Sequence, residues 1–143
     1  MARELTAIAL AMACACGRSD PPSATPPEAK PLAGKAFYRV DAAPAAACAH
    51  GAICEAHLVL TALGTYHVNK DYPFKFVADA AATPVDGEGR FALGDARHGT
   101  LTVTFTPAAQ GPARLVGTFK LSVCNDDTCE IETPRIELAV PVS

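Results

Sequence analysis

Six cysteines in 143 residues carry most of the chemistry open to this chain. They form three local pairs: Cys14 with Cys16, Cys48 with Cys54, and Cys124 with Cys129. Thiols this close can bond to each other, exchange with a partner's thiols, or hold a soft metal ion. Which of these happens depends on the compartment and on the elements that hold each pair.

The pair near the C-terminus is the most informative. Between Cys124 and Cys129 lie Asn125, Asp126, Asp127 and Thr128, residue types that favour a tight turn. The pair is therefore expected to face across a hairpin, where opposed Cα atoms stand roughly 4.5–5.5 Å apart, within reach of a disulfide. One reading is a staple, and so short a loop adds only about 2 kcal/mol in the chain-entropy view. The other reading is a redox site. If Leu121 and Val123 face the core, Cys124 lies on the opposite, wetter face, where a partner can reach it. Ile131 departs from the parity of Ile136 and Leu138, which predicts a bulge near Thr133-Pro134. Asp126, Asp127, Glu130 and Glu132 surround the pair, and carboxylates disfavour a thiolate. The expected attacking thiolate is thus the partner's, with the Cys124–Cys129 bond as its target. Spacing alone leaves staple and redox site open.

Cys48, His50, Cys54 and His57 form a second cluster within ten residues. Its spacing fits no standard zinc pattern. The favoured reading is a structural Cys48–Cys54 disulfide that clips the loop entering a strand at 54–63. A copper- or zinc-handling site is the competing one. No metal and no other cofactor is expected. His67 reads as a strand-end residue and His98, beside Gly99, as part of a turn. No Ser-His-Asp pattern, phosphate-cradling glycine loop or spaced carboxylate pair stands out.

Residues 1–16, MARELTAIALAMACAC, run from Arg3 through a short apolar stretch to small residues and cysteine, the layout of a secretory signal. A cysteine at the cleavage point resembles a bacterial lipoprotein signal, with Cys16 (or Cys14) as the lipidated residue. Export to the periplasmic side of a bacterial membrane, on a lipid anchor, is the expected location. Residues 17–34 hold Pro21, Pro22, Pro26, Pro27 and Pro31 and read as an extended spacer. Residues 35–143 form the folded domain. Lys and Arg total 12 against 15 Asp and Glu, a formal net charge of −3, and no basic cluster occurs, so nucleic acid is excluded as a partner.

Within 35–143, period-two alternation dominates. Leu101, Val103 and Phe105 alternate with threonines. Leu115, Phe119, Leu121 and Val123 alternate with Thr118, Lys120 and Ser122. Ile136, Leu138, Val140 and Val142 alternate with Glu137 and Ala139. Further strands are expected at 36–41, 54–63 and 74–78, with turns at Gly64, Asp86-Gly87-Glu88-Gly89, Gly94-Asp95 and Gln110-Gly111-Pro112. The alanine-rich stretch 42–52 could hold a helical turn. The pattern predicts an all-β, immunoglobulin-like antiparallel sandwich.

The segment GTFKLSVCNDDTCEIETPRIELAVPV, residues 117–142, resembles the end of the N-terminal periplasmic domain of DsbD-type thiol–disulfide interchange proteins. Cys124, Asn125, Asp126, Cys129 and Pro134 carry that resemblance. Upstream, Gly64-Thr65-Tyr66-His67-Val68-Asn69 followed by Tyr72-Pro73 is similar to a Gly-x-His-x-Asn…Pro segment of the same family, with one residue more between Gly64 and His67. The resemblance implies an immunoglobulin-like domain whose pair Cys124 and Cys129 exchanges disulfides, with His67, Asn69, Tyr72, Asn125 and Asp126 as site neighbours. It also implies an aromatic cap loop, for which Tyr72, Phe74 and Phe91 are candidates. The implied partners are other thiol–disulfide proteins, thioredoxin-like or membrane-embedded. The alternative is a non-catalytic periplasmic lipoprotein that binds or assembles, with both disulfides purely structural.

Overall fold

A computed structural model describes residues 30–143. The leader, with Cys14 and Cys16, and most of the proline-rich spacer lie outside the described residues.

Ten strands follow one another: β1 Ala33–Lys35, β2 Tyr38–Ala42, β3 Cys54–Ala62, β4 His67–Val68, β5 Lys75–Ala78, β6 Arg90–Leu93, β7 His98–Phe105, β8 Ala113–Cys124, β9 Cys129–Glu132 and β10 Arg135–Val140. All pairings between them are antiparallel. One sheet runs β1-β2-β3-β7-β6. The other is built on β8, the longest strand, with β5 and β4 along one side and β10 and β9 along the other. Among the described residues there is no helix, so the alanine-rich stretch 42–52 holds no helical turn. The spacer reading ended at residue 34, yet β1 opens at Ala33.

The alternation seen in the sequence is the packing pattern. In β3, Cys54, Ala56, Leu58, Leu60 and Ala62 turn inward; in β7, Leu101, Val103 and Phe105 do. Leu58, Leu60, Ala62, Leu101 and Val103 meet Phe119, Leu121 and Val123 of β8, Phe76 of β5 and Ile136 of β10 in one core between the sheets. This is an all-β sandwich, each strand giving one face to the core and one to solvent. A smaller cluster closes the end where β8 begins: Cys48, Cys54, Ala56, Phe105, Ala113, Leu115, Val140 and Val142. Over its twelve residues β8 runs from this cluster to Cys124, roughly 36 Å at ~3.3 Å per residue.

The expected bulge at Thr133-Pro134 is absent. Leu121 pairs with Glu132 and Thr118 with Arg135, so the register continues unbroken past Pro134. The Phe119 N–H still donates to the Pro134 carbonyl at 3.0 Å. Proline removes one donor but inserts no residue. Ile131 keeps its parity and points outward, 66% exposed. A bulge is needed only if Ile131 faces the core, and it does not.

Candidate functional site

The hairpin β8–β9 forms because its tip is turn chemistry. Asn125 Oδ1 accepts from the backbone N–H groups of Asp127 and Thr128, both at 2.9 Å, an Asx turn that closes the loop. The Asn125 N–H donates to the Thr128 carbonyl at 2.9 Å. Asn125 therefore works as the hinge pin of the hairpin. Asp126 is exposed at its crest beside Asp127.

Below the turn, Cys124 pairs directly with Cys129, their Cα atoms 4.0 Å apart and their sulfurs bonded. Cys124 lies on the outer face of β8, as the parity of Leu121 and Val123 requires. The two cysteines differ in access. Cys124 is buried, 6% exposed, so the expected wetter face on which a partner reaches it is not found, because β4 and β9 flank it on both sides; Cys129 is exposed.

β4 flanks the other side of β8. His67 stands opposite Cys124 and Val68 opposite Val123, so His67 shares the outer face with both cysteines and is exposed. Asn69 continues the register. Its N–H donates to the Ser122 carbonyl at 3.1 Å, and its Nδ2 donates to Ser122 Oγ at 3.3 Å. Asn69 Oδ1 in turn accepts from the Asp71 N–H at 3.3 Å. This clamp explains how a hydroxyl can sit at 0% exposure on the outer face of β8, since a buried polar group needs a partner. Ser122 was not singled out from the sequence. Its place two residues before Cys124, on the same face, is the signal that could have found it.

Two rows of side chains therefore cross three strands on one face: His67, Cys124 and Cys129, and below them Asn69, Ser122 and Ile131. The aromatic candidates for a cap contact one another. Phe74 is 9% exposed within the core and stacks on Phe91 at 3.8 Å. Tyr72 turns its ring edge-on to Phe74 at 5.3 Å and packs against the core. These rings pack on one another and on the core.

Cys48 and Cys54 are bonded as well, with Cα atoms 5.5 Å apart, and both are 5% exposed. Their loop is tied to the chain end: the Ser143 N–H donates to the Cys48 carbonyl at 2.9 Å, and the His50 N–H to the Ser143 carbonyl at 2.9 Å. His57 Nδ1 lies 3.1 Å from Thr102 Oγ1, and its Nε2 3.7 Å from Glu55. With both sulfurs bonded to each other and both rings engaged separately, the four residues do not converge on one point. Among the described residues no group of three or more His, Cys, Asp or Glu could hold a metal ion. His98 is the first residue of β7 rather than part of a turn, and its Nδ1 contacts both carboxylate oxygens of Asp95, at 2.8 and 2.9 Å, in the turn that precedes it.

The two disulfides thus occupy opposite ends of the sandwich in different settings. One is sealed in an apolar cluster; the other sits at a hairpin tip with Cys129 exposed. A thiolate approaching from solution can meet Cys129 Sγ, and Cys124 is then the leaving sulfur. Comparison of the chain with protein-family models, with curated proteins and with solved structures returns no match.

Proposed function

We propose that this chain is an exported redox module that takes part in thiol–disulfide exchange through Cys124 and Cys129. The observation that carries the reading is the asymmetry of that pair: an exposed Cys129 bonded to a buried Cys124. A staple gains nothing from one open sulfur, whereas exchange needs it, because reactivity follows access. The resemblance of residues 117–142 and 64–73 to the N-terminal domain of DsbD-type proteins supports the same reading, as does the two-sheet sandwich.

The step balances as follows. A thiolate of a dithiol partner attacks Cys129 Sγ. The Cys124–Cys129 bond breaks, a mixed disulfide forms at Cys129, and Cys124 leaves as a thiolate that takes a proton from water. The partner's second thiol then attacks the mixed disulfide and frees Cys129. Two electrons pass from the partner dithiol to this chain, and the reverse sequence passes them on. His67, opposite Cys124 in the β4–β8 register, is the neighbour assigned to the departing sulfur in this reading. Asn69 and Ser122 act as positioning residues that fix the strand carrying Cys124. The periplasmic side of a bacterial membrane is the compartment that fits, with Cys16 or Cys14 as lipid anchor and the proline-rich stretch as spacer.

Trapping in cells tests the proposal. Cys124→Ala leaves Cys129 free and is expected to accumulate partners as mixed disulfides that reductant dissolves. Absence of any reducible adduct in both Cys124→Ala and Cys129→Ala cells would leave the staple reading in place.

A further inference from the structure

We infer that a partner docks by adding an extended, basic segment to the free edge of β9, with main-chain hydrogen bonds at Cys129 and Ile131. This rests on the exchange reading of the pair and specifies how its partner is held.

The argument begins with hydrogen-bond alternation. Antiparallel pairs alternate between bonded and non-bonded residues. Along β8–β9 the bonded positions are fixed at both ends: the Asn125 N–H reaches Thr128, and the Phe119 N–H reaches Pro134. Counting inward by twos, Val123–Glu130 and Leu121–Glu132 are the bonded pairs. Cys124–Cys129 and Ser122–Ile131 are the non-bonded ones, in keeping with the short 4.0 Å Cα separation of the cysteines. The N–H and C=O groups of Cys129 and Ile131 therefore point away from β8. Among the described residues no other strand lies there, since β9 pairs with β8 alone. Among the described residues those groups have no backbone partner outside the ladder.

An open edge is a template for another strand. This one starts at the exposed sulfur and ends at Glu132, whose carboxylate is held by Lys35 at 2.7 Å. Between them Ile131, 66% exposed, offers an apolar contact on the face that carries the disulfide. Charge selects the occupant. Asp126 and Asp127 are exposed, Glu130 is half-buried, and no salt bridge engages any of the three among the described residues. An edge flanked by these carboxylates favours a segment with lysine or arginine beside its cysteine, and repels an acidic one. The partner is thus a dithiol protein whose reactive cysteine lies on an extended basic strand.

The test uses proline. Ile131→Pro deletes one outward N–H and leaves the β8–β9 ladder intact, because that N–H does not face β8; Ile131→Ala removes the side chain and keeps the donor. Opening of the Cys124–Cys129 bond is timed with three thiols: 2-mercaptoethanol, a lysine-rich eight-residue peptide with one cysteine, and its glutamate-rich counterpart. The expected result is a faster reaction with the lysine-rich peptide. That reaction is expected to slow about tenfold in Ile131→Pro relative to Ile131→Ala, the loss of roughly one main-chain hydrogen bond and its neighbour, with 2-mercaptoethanol unaffected. A second measurement needs no proline. With Cys124→Ala joined to the lysine-rich peptide through Cys129, the Ile131 amide should exchange with solvent about tenfold or more slowly than in the 2-mercaptoethanol adduct. Equal exchange in the two adducts overturns strand addition and leaves the redox reading standing. A bond that none of the three thiols opens overturns both.

Discussion

Cys124 and Cys129 face each other across one hairpin with Cα atoms 4.0 Å apart, yet only Cys129 reaches solvent. Burial of Cys124 comes from its place between two strands, with His67 of β4 on one side and Cys129 of β9 on the other. In the proposed exchange the exposed Cys129 is the sulfur attacked and the buried Cys124 the one that departs. In single variants, the lone Cys129 of Cys124→Ala should alkylate with iodoacetamide about tenfold or more faster than the lone Cys124 of Cys129→Ala, since thiol reactivity follows exposure. Equal rates would mean that the hairpin opens freely and that the asymmetry has no consequence.

The sealed disulfide should behave as a structural element. Cys48 and Cys54 pack in the cluster with Phe105, Leu115, Val140 and Val142, and their loop holds Ser143. Replacing both by alanine removes a short-loop crosslink worth about 2 kcal/mol and leaves a gap in an apolar cluster. Urea unfolding is expected to show a larger loss for Cys48→Ala/Cys54→Ala than for Cys124→Ala/Cys129→Ala. A smaller loss would contradict the division of roles.

Gly117 tests whether β8 is positioned by close packing. It pairs with Ala78 on one side and Ile136 on the other, and a Cβ there would run into the Val77 carbonyl and the Phe76 ring. Because the obstacle includes backbone, Gly117→Ala should cost about 1–3 kcal/mol, the range for overpacking a well-filled core. A thermal or urea midpoint unchanged from wild type would refute the tight approach of β5 to β8.

Much of this arrangement is legible in the sequence, for a physical reason. Strands buried on one face show period two, and the runs at 54–63, 100–106 and 115–123 correspond to β3, β7 and β8 with small shifts at their ends. Short edge strands carry too few residues to display a period, so β1, β4 and β6 were invisible. The facing of Cys124 follows from Leu121 and Val123 because parity is strict within a strand, but its burial does not, because the strands that flank it come from elsewhere in the chain. The same rule misled at Ile131, where an apolar residue was assumed to be a buried one. Long-range pairing was beyond the sequence: nothing local says that Phe74 stacks on Phe91, or that Asn69 holds Ser122 across 53 residues.

Stability should respond to pH at both extremes. The backbone N–H of Arg97 donates to Asp95 at 2.7 Å, and with the His98 ring it holds the Asp95 carboxyl below its ordinary value of 3.8. A depressed carboxyl contributes stability that is present above the unfolded value and lost as pH falls through the lower folded one. At the other end, burial and then the nearby Glu132 charge push the Tyr38 hydroxyl above its ordinary value of 10.0. Its neutral form is favoured by folding, so that contribution is complete below 10.0 and lost as pH rises through the folded value. Asp95→Asn should therefore narrow its deficit against wild type as pH falls below 3.8, and Tyr38→Phe should lose less stability than wild type above 10.0. Denaturant midpoints across pH check both, and parallel curves would contradict the assignments.

The most direct test compares the two disulfides in one molecule. The protein is equilibrated in glutathione buffers of graded potential, quenched with acid, alkylated, and mapped by mass spectrometry. Cys124 and Cys129 should titrate together within the range of exchange proteins, about −120 to −270 mV, while Cys48 and Cys54 stay bonded to below about −300 mV. If the Cys124–Cys129 bond persists as long as the buried one, the exchange function is wrong and both bonds are structural.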